Sequence, residues 1–458
     1  MSTLAVEETV ARRRLRRRLP ARGRPAVVTV LGALAGIGFG VTLALGVSAE
    51  SAGSLQAPGG LATAAGRLTG LAAAYAMVVV VVLVARFGPL ERAIGQDRLV
   101  HWHRRLGPWP LYLLVLHGTL ITIGYSQAAN DGVLHQFWQL LTTYAGVLAA
   151  TVGGVLLIAA GVTSYRLARR RMAYETWWSV HLYTYLALFL SFSHQVDTGA
   201  SFVGHPTARA WWTVLWIGTL ALVLLSRVGL PVWRSLRHRL RVVGVTAEGA
   251  DSYSVLLRGR RLDRLPVAGG QFIQWRFLRR GLWWQAHPYS LSAAPTSRHL
   301  RVTVKVLGDH SAALRRLRPG TRVAIEGPYG VFTADTRNSN RVLLIGAGVG
   351  ITPVRALVED LPEDADVVVL LRGSVPEDLI LRDEIADQVR LRGGRLHELV
   401  GPRERVRLDA RALTALVPDI AERDLYVCGP EPFQELVVAS AAEAGVPASH
   451  LHYESFSF

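Results

Sequence analysis

Residues 101–125 read HWHRRLGPWPLYLLVLHGTLITIGY, and residues 177–194 read WWSVHLYTYLALFLSFSH. Each is an apolar stretch with a histidine near either end: His103 and His117 in the first, His181 and His194 in the second. A titratable side chain within a membrane helix is costly and marks a candidate functional site. At 1.5 Å per residue, the members of each pair stand ~20 Å apart along their helix. One histidine of each stretch therefore sits near one membrane face and one near the other. Pairing across helices joins His103 to His181 and His117 to His194, and each pair offers two axial imidazoles for a haem iron. Helical phase favours His103 over His101, because fourteen residues bring His103 within ~40° of His117. The thirteen-residue step between His181 and His194 misses by ~140° on a straight helix, so that helix must bend, carry a bulge or present its haems on different sides. The bland alternative is four histidines hydrogen-bonded to neighbouring helices, which suits a single histidine better than two matched pairs. Tyr183, Tyr185, Phe189 and Phe192 lie between the two depths, where ordinary packing or lipid contact accounts for most of them.

Outward from these stretches, the chain of 458 residues divides sharply. Residues 26–234 are built of long apolar segments, and 235–458 read as α/β protein. A helix needs ~20 mostly apolar residues to cross the hydrocarbon. Six segments qualify: 26–49, 68–85, 106–125, 140–163, 177–193 and 210–225. Arginines crowd alternate connections: Arg86, Arg92, Arg98, Arg104 and Arg105; Arg166, Arg169, Arg170 and Arg171; and Arg234, Arg237 and Arg239. The positive-inside rule then puts both termini in the cytoplasm and the 50–66, 126–139 and 194–209 loops outside, in a six-pass protein of the plasma (inner) membrane. Val47-Ser48-Ala49 resembles a signal-peptidase site, but the preceding run exceeds the ~7–15 residues of a signal core, so an uncleaved span is expected.

The net charge of +17 gathers beside the apolar segments, as in the arginine run at 12–18, without a nucleic-acid motif, and nucleic acid is not an expected partner. One cysteine, Cys428, excludes an intramolecular disulfide framework and any Cys pair for zinc or iron–sulfur.

In the soluble half, 239–245, 253–258, 271–277 and 300–306 alternate apolar and polar residues between turn residues, the pattern of a small antiparallel barrel. Residues 341–345 form an apolar strand leading into Gly346-Ala347-Gly348-Val349-Gly350-Ile351-Thr352-Pro353 and a helix. Glycines let a backbone approach a pyrophosphate, and a helix start favours its charge. Two further apolar strands, 366–371 and 425–427, end in Arg372-Gly373-Ser374 and Cys428-Gly429-Pro430. Ligands of open parallel sheets bind at such carboxyl ends. Arg372, with Arg382, is a candidate for a 2′-phosphate, and no acidic residue ends the 366–371 strand to receive a ribose hydroxyl, which tilts the cofactor toward NADPH over NADH.

Taken together, two histidine pairs on the third and fifth of six helices, followed by a flavin and nucleotide module, resemble the ferric reductase and NADPH oxidase superfamily. The resemblance runs from the first span to Phe458. It implies a basic segment at 1–25, a ferric-reductase-like transmembrane domain at 26–234, an FAD-binding β-barrel at 235–335 and an NAD(P)-binding α/β domain at 336–458. It implies FAD, two haem b and NADPH or NADH as cofactors, with His103, His117, His181 and His194 as iron ligands. His287-Pro288-Tyr289-Ser290 is similar to the flavin signature, in which Arg-x-Tyr-Ser is usual and the oxidase branch often has His-Pro. Tyr289 would then pack on the isoalloxazine and Ser290 approach the flavin N5. With the arginine replaced by His287, Lys305 and the Gly308-Asp309-His310-Ser311 turn are candidates for the pyrophosphate. Gly327-Pro328-Tyr329-Gly330 matches the turn that closes the family's barrel. Cys428 would help place the nicotinamide, against the alternative of a small buried core residue. The terminal Phe458 would cover the flavin, against ordinary packing of a tail. The activity implied is electron transfer from NAD(P)H through FAD and two haems to an external acceptor. A ferric chelate is the first choice and oxygen the alternative, because Ile121 stands where animal oxidases often have a polar residue. Delivery to a quinone or partner protein stays open, as does a homo-oligomer.

Overall fold

The computed structural model describes residues 25–165, 172 and 174–455; the arginine runs at 12–18 and 166–171, and Phe458, lie outside the described residues. Among these residues the chain forms two compact units, 25–87 with 98–224, and 88–97 with 225–455.

The first unit is helical: α1 Pro25–Ser48, α2 Gly60–Leu83, α3 Gln96–Leu106, α4 Pro108–Ala129, α5 Val133–Thr143, α6 Val147–Ser164, α7 Tyr174–Thr198 and α8 Pro206–Leu224. Among the described residues, five stretches are long and apolar enough to cross a membrane: 26–48, 60–83, 98–129, 147–164 and 206–238. The 25-residue α7 has the length but is more polar, because it carries His181, His194 and several hydroxyl side chains.

Local chemistry moves the expected boundaries. The third segment breaks between α3 and α4 at Gly107-Pro108, since proline at a helix start lacks the N–H the preceding turn would need. The fourth does not begin at 140: α5 ends at Thr143, and Gly146, with φ +76°, starts a new helix. The sixth continues through a π-turn at Leu225–Gly229 into α9, Leu230–His238.

Small residues set the spacing. A Cβ on Gly59 would meet the Gly124 carbonyl at 1.9 Å, and one on Gly153 would meet the Ala187 carbonyl at 2.7 Å. In lipid, such close backbone approach takes the place of hydrophobic drive between helices.

The second unit holds two three-stranded antiparallel sheets and one parallel sheet. The first pair uses β1 Arg241–Ala247, β2 Ser252–Arg258, β3 Phe272–Phe277, β4 His287–Ser290, β5 His299–Lys305 and β6 Val323–Tyr329, ordered β1-β2-β5 and β4-β3-β6. Bridges at Arg241↔Arg322 and Leu291↔Val302 join them. Their alternating inward residues, among them Val255, Leu257, Ile273, Trp275, Val302 and Ile325, share one core. After α10, Asp309–Leu314, the parallel sheet follows, ordered β11-β10-β7-β8-β9. Its strands are β7 Arg341–Ala347, β8 Asp366–Gly373, β9 Arg395–Val400, β10 Asp424–Gly429 and β11 Leu451–Ser455. Helices α11 Ile351–Asp360, α12 Arg382–Leu391 and α13 Glu431–Glu443 connect them. The central strands are apolar on both faces, as a sheet buried by helices requires.

The edge strand β11 is secured by a buried pair: His452 Nε2 lies 2.7 Å from Asp424 Oδ1, and the His452 ring stacks on Tyr426 at 4.3 Å. Burial alone would raise the Asp424 carboxyl, but His452 and the Ser339 and Asn338 N–H groups outweigh it and hold it below the usual range. A depressed folded pKa stabilises above the unfolded value and is lost as pH falls through the folded one, so this contribution fades below roughly pH 4. Asp424→Ala is expected to cost about 3–5 kcal/mol at pH 7, because it strips one partner from a buried pair. Thermal unfolding at pH 7 and in acid checks this: the gap from the parent chain should narrow in acid, and a gap constant across pH would refute the assignment.

Candidate functional site

The four membrane histidines meet in the expected pairs. The rings of His103 on α3 and His181 on α7 have centroids 6.1 Å apart, and those of His117 on α4 and His194 on α7 are 6.2 Å apart. A metal between two opposed imidazoles, bound through contacts of ~2 Å, leaves centroids roughly 6 Å apart. His101 is exposed and belongs to neither pair. Of the three routes open to the thirteen-residue step, the bulge is excluded, since residues 174–198 are α-helical throughout.

Each Nδ1 is engaged. It faces the Val80 carbonyl (3.0 Å) in His103, the Gly66 carbonyl (2.7 Å) in His117, Ser164 Oγ (3.3 Å) in His181 and Thr198 Oγ1 (2.9 Å) in His194. A carbonyl can only accept, so His103 and His117 carry the Nδ1 proton. The Ser164 and Thr198 hydroxyls also lie within bonding reach of the Ala160 and His194 carbonyls. In His103 and His117 the carbonyl partner leaves the lone pair on Nε2, as in metal-binding histidines oriented by a second partner. Space is also arranged: a Cβ on Gly70 would lie 2.6 Å from His117 Nδ1, and one on Gly146 3.0 Å from His194 N. Tyr183, Tyr185 and Phe189 are exposed on α7, whereas Phe192 packs on Trp216. Of the polar groups in the expected outer loops, Asp131 faces His135 at 3.5 Å and Asp197 faces Arg209 at 3.4 Å.

In the second unit, strand β4 carries the His287–Ser290 motif, with Ser290 paired to Phe272 and Tyr289 to Ile273 on β3. Trp275 Nε1 donates to the Tyr289 carbonyl at 2.9 Å and fixes that residue. Ser290 is buried with its Oγ unpartnered, an orphan that a ligand group would satisfy. His287 does not stand alone. Its ring lies 3.7 Å from that of His310, whose Nδ1 faces the Tyr289 hydroxyl at 3.4 Å and whose Nε2 is buried and unpartnered. Burial and the neighbouring His287 push His310 down to about 4, so it is neutral at pH 7. Burial likewise raises the Tyr289 phenol. Sequence reading named the turn around His310 but not its ring contact; the signal available was an imidazole within the turn itself. Ser311 serves its own backbone, its Oγ accepting from the Leu307 and Gly308 N–H groups. Lys305 ends β5 opposite Ser252. At the β6 turn, Gly330 has φ +92°, its carbonyl accepts from Gln271 Nε2 at 2.9 Å, and a Cβ there would strike the Glu454 carboxylate. Gly327 has φ +117°.

The nucleotide loop lies at the carboxyl end of β7. Gly346 pairs with Cys428 on β10 and with Leu371 on β8, which brings the three strand ends together. Gly348 has φ +56°, and a Cβ on Gly350 would sit 2.3 Å from the Cys428 carbonyl oxygen. Thr352 is buried and donates to the Val349 carbonyl at 2.8 Å, closing the loop on itself. Cys428 is fully buried, with Sγ 3.8 Å from the Glu454 carbonyl, and Gly429 and Pro430 lead into α13. Arg372 is buried, and its guanidinium donates to the Gly373, Leu399 and Gly401 carbonyls. Arg382 is more exposed and lies 3.6 Å from Glu398.

Comparison with known proteins agrees with this division. Residues 69–192 match the ferric reductase like transmembrane component, 240–333 an FAD-binding domain and 344–439 an oxidoreductase NAD-binding domain. An NADPH oxidoreductase of Mycobacterium tuberculosis is 30% identical over 241 residues, covering 50% of this chain and 62% of that one. The ferredoxin reductase component of a 3-ketosteroid-9-alpha-monooxygenase from Mycolicibacterium smegmatis is 31% identical over 233 residues, covering 47% and 65%. The chain thus spans less than two-thirds of these relatives. The solved FAD/NAD-binding domain of a nitric oxide dioxygenase from Vibrio cholerae is 26% identical, with a TM-score of 0.42, over 48% of this chain and 99% of that one. With a ferric-reductase-like transmembrane component followed by FAD- and NAD-binding oxidoreductase domains, the chain has the architecture of the ferric reductase and NADPH oxidase superfamily.

Proposed function

We propose that this chain is a six-pass oxidoreductase of the plasma (inner) membrane, with cytoplasmic termini, that carries electrons from NAD(P)H to an acceptor on the opposite face. The observation that carries this reading is two imidazole pairs, with centroids 6.1 and 6.2 Å apart and every Nδ1 engaged. His103 with His181, and His117 with His194, would each hold a haem b iron. Tyr289 and Ser290 would hold the flavin ring of FAD, and the 346–353 loop with Cys428 the nicotinamide nucleotide. When bound, FAD accepts a hydride and the haem irons accept single electrons, which splits a two-electron donor into one-electron steps. The residues of this chain would orient those groups: Thr198 and Ser164 hold the imidazole rings of His194 and His181, Trp275 fixes Tyr289, and the buried Ser290 hydroxyl would supply one hydrogen bond at the flavin.

The acceptor we favour is a ferric chelate, with oxygen as the alternative. Ile121, one turn beyond His117, packs against Gly66 and offers no polar group there. A second reading has its own support. Several relatives are reductase subunits or components of monooxygenases, which favours delivery of electrons to a partner protein.

An anaerobic visible spectrum of the purified full chain, before and after NADPH, tests the proposal. A reduced bis-histidine haem spectrum is expected, followed by rapid reoxidation by a ferric chelate. Haem that reduces yet turns over slowly with every small acceptor supports the partner-protein reading. Absence of haem after haem-replete expression refutes the transmembrane half of the proposal.

A further inference from the structure

A set of partly buried ion pairs joins the flavin motif to the helix that opens at the glycine loop. Arg301 on β5 reaches Glu384 on α12 through two bonds of 2.7 Å, donates to the Ser292 carbonyl at 2.8 Å and lies 3.2 Å from Ser292 Oγ. Arg355 on α11 places its Nε 2.8 Å from the same Glu384 carboxylate and pairs with Glu359 one turn later. Glu359 accepts from the Ala294 N–H at 2.8 Å, and its neighbour Asp360 accepts from the Gly269 N–H at 3.0 Å. Ser292 is fully buried, and the side chains of Arg301 and Arg355 are only 17% and 10% exposed. Burial alone would raise the Glu384 carboxyl, yet Arg301 and Arg355 outweigh it and hold it ionised.

The layout has a consequence for geometry. Helix α11 starts at Ile351, directly after the glycine loop, and its ten residues make a strut of ~15 Å. Its far end is fastened by Glu359 to Ala294, four residues past Ser290, and by Asp360 to Gly269 ahead of β3, while Arg355 at mid-helix reaches Ser292, two residues past that serine, only through Glu384 and Arg301. Exposed ion pairs contribute little; here Glu384 is 36% exposed, but the bidentate arginine–carboxylate fork still fixes orientation as well as charge. Buried pairs of this kind are weak arguments for stability, since apolar replacements often do as well.

We propose that Arg301, Glu384, Arg355 and Glu359 are positioning residues for hydride transfer, holding the Ser290–Ala294 segment at a set distance from the 346–350 loop. This rests on reading those two segments as the flavin and nicotinamide sites. A misplacement of ~1 Å between reacting groups costs on the order of 10²-fold in rate.

The test is stopped-flow flavin reduction in the full-length, FAD-loaded chain at saturating NADPH, alongside NADPH affinity and FAD content. Arg301→Met and Glu384→Gln are expected to slow reduction by about 10–100-fold, with affinity and FAD content unchanged. Arg301→Lys, which keeps the charge but not the fork, should recover part of the loss. Unchanged rates overturn the proposal. So does a loss of FAD in Glu384→Gln, the near-isosteric variant, because the network would then serve retention of the cofactor and not its placement. If the parent chain itself is not reduced by NADPH, the flavin and nicotinamide reading has failed, a result distinct from either of these.

Discussion

Replacing His117 or His194 with alanine is expected to remove one haem per chain and to abolish reduction of the external acceptor, while NADPH still reduces the flavin. The two rings form one pair at 6.2 Å, so loss of either leaves the site with a single imidazole. The loss of acceptor reduction should exceed the ~10–100-fold that follows when only a supporting hydrogen bond to a metal ligand is removed. Thr198→Val tests that lesser effect, since it takes away the oxygen facing His194 Nδ1 at 2.9 Å. Gly70→Val should resemble the histidine variants, because a side chain there meets the His117 ring within 3 Å. Haem content by pyridine haemochrome, measured with flavin reduction in the same sample, separates the outcomes. Two haems retained in His194→Ala would remove that histidine from the ligand set.

Gly350→Ala is expected to raise the KM for NADPH by about 10–100-fold with FAD content intact. The added Cβ would lie 2.3 Å from the Cys428 carbonyl oxygen, 2.4 Å from its carbon and 2.6 Å from Gly429 N. All three are backbone atoms of a buried strand end, so the loop must move and not its neighbour. Gly348→Ala offers a contrast. No atom lies within 4 Å of its Cβ, and only the φ of +56° opposes it, a cost of roughly 1–2 kcal/mol. Steady-state kinetics of the two variants should therefore rank Gly350→Ala as the more damaging. The reverse order would mean that conformation, and not close approach to Cys428, explains the glycines.

What the sequence made legible follows from how local each signal is. The histidine pairs could be read because helical rise converts spacing into depth, and the pairs meet as that arithmetic requires. The three inner strands of the parallel sheet were legible from apolar runs leading into glycine, since a strand buried on both faces has no alternation to hide it, whereas the edge strands β9 and β11 were not legible. The start of α6 was not, because Gly146 interrupts a run whose hydropathy continues from α5. The bonds from Arg372 to carbonyls of β9 and the turn after it, 27 and 29 residues on, were not legible either. The Arg301–Glu384 contact spans 83 residues and joins separate domains, and no periodicity encodes such a pairing. His310 beside His287 is a similar case, a contact between strand and turn that only folding creates.

The central claim is that electrons cross the membrane through the paired histidine sites. It is tested most directly in proteoliposomes holding the haem- and FAD-loaded chain, with an impermeant ferric chelate trapped inside and NADPH added outside under anaerobic conditions. Ferrous iron is expected to accumulate in the lumen with the parent chain and not with His194→Ala. No luminal ferrous iron with the parent chain, or luminal reduction that survives His194→Ala, would contradict the claim.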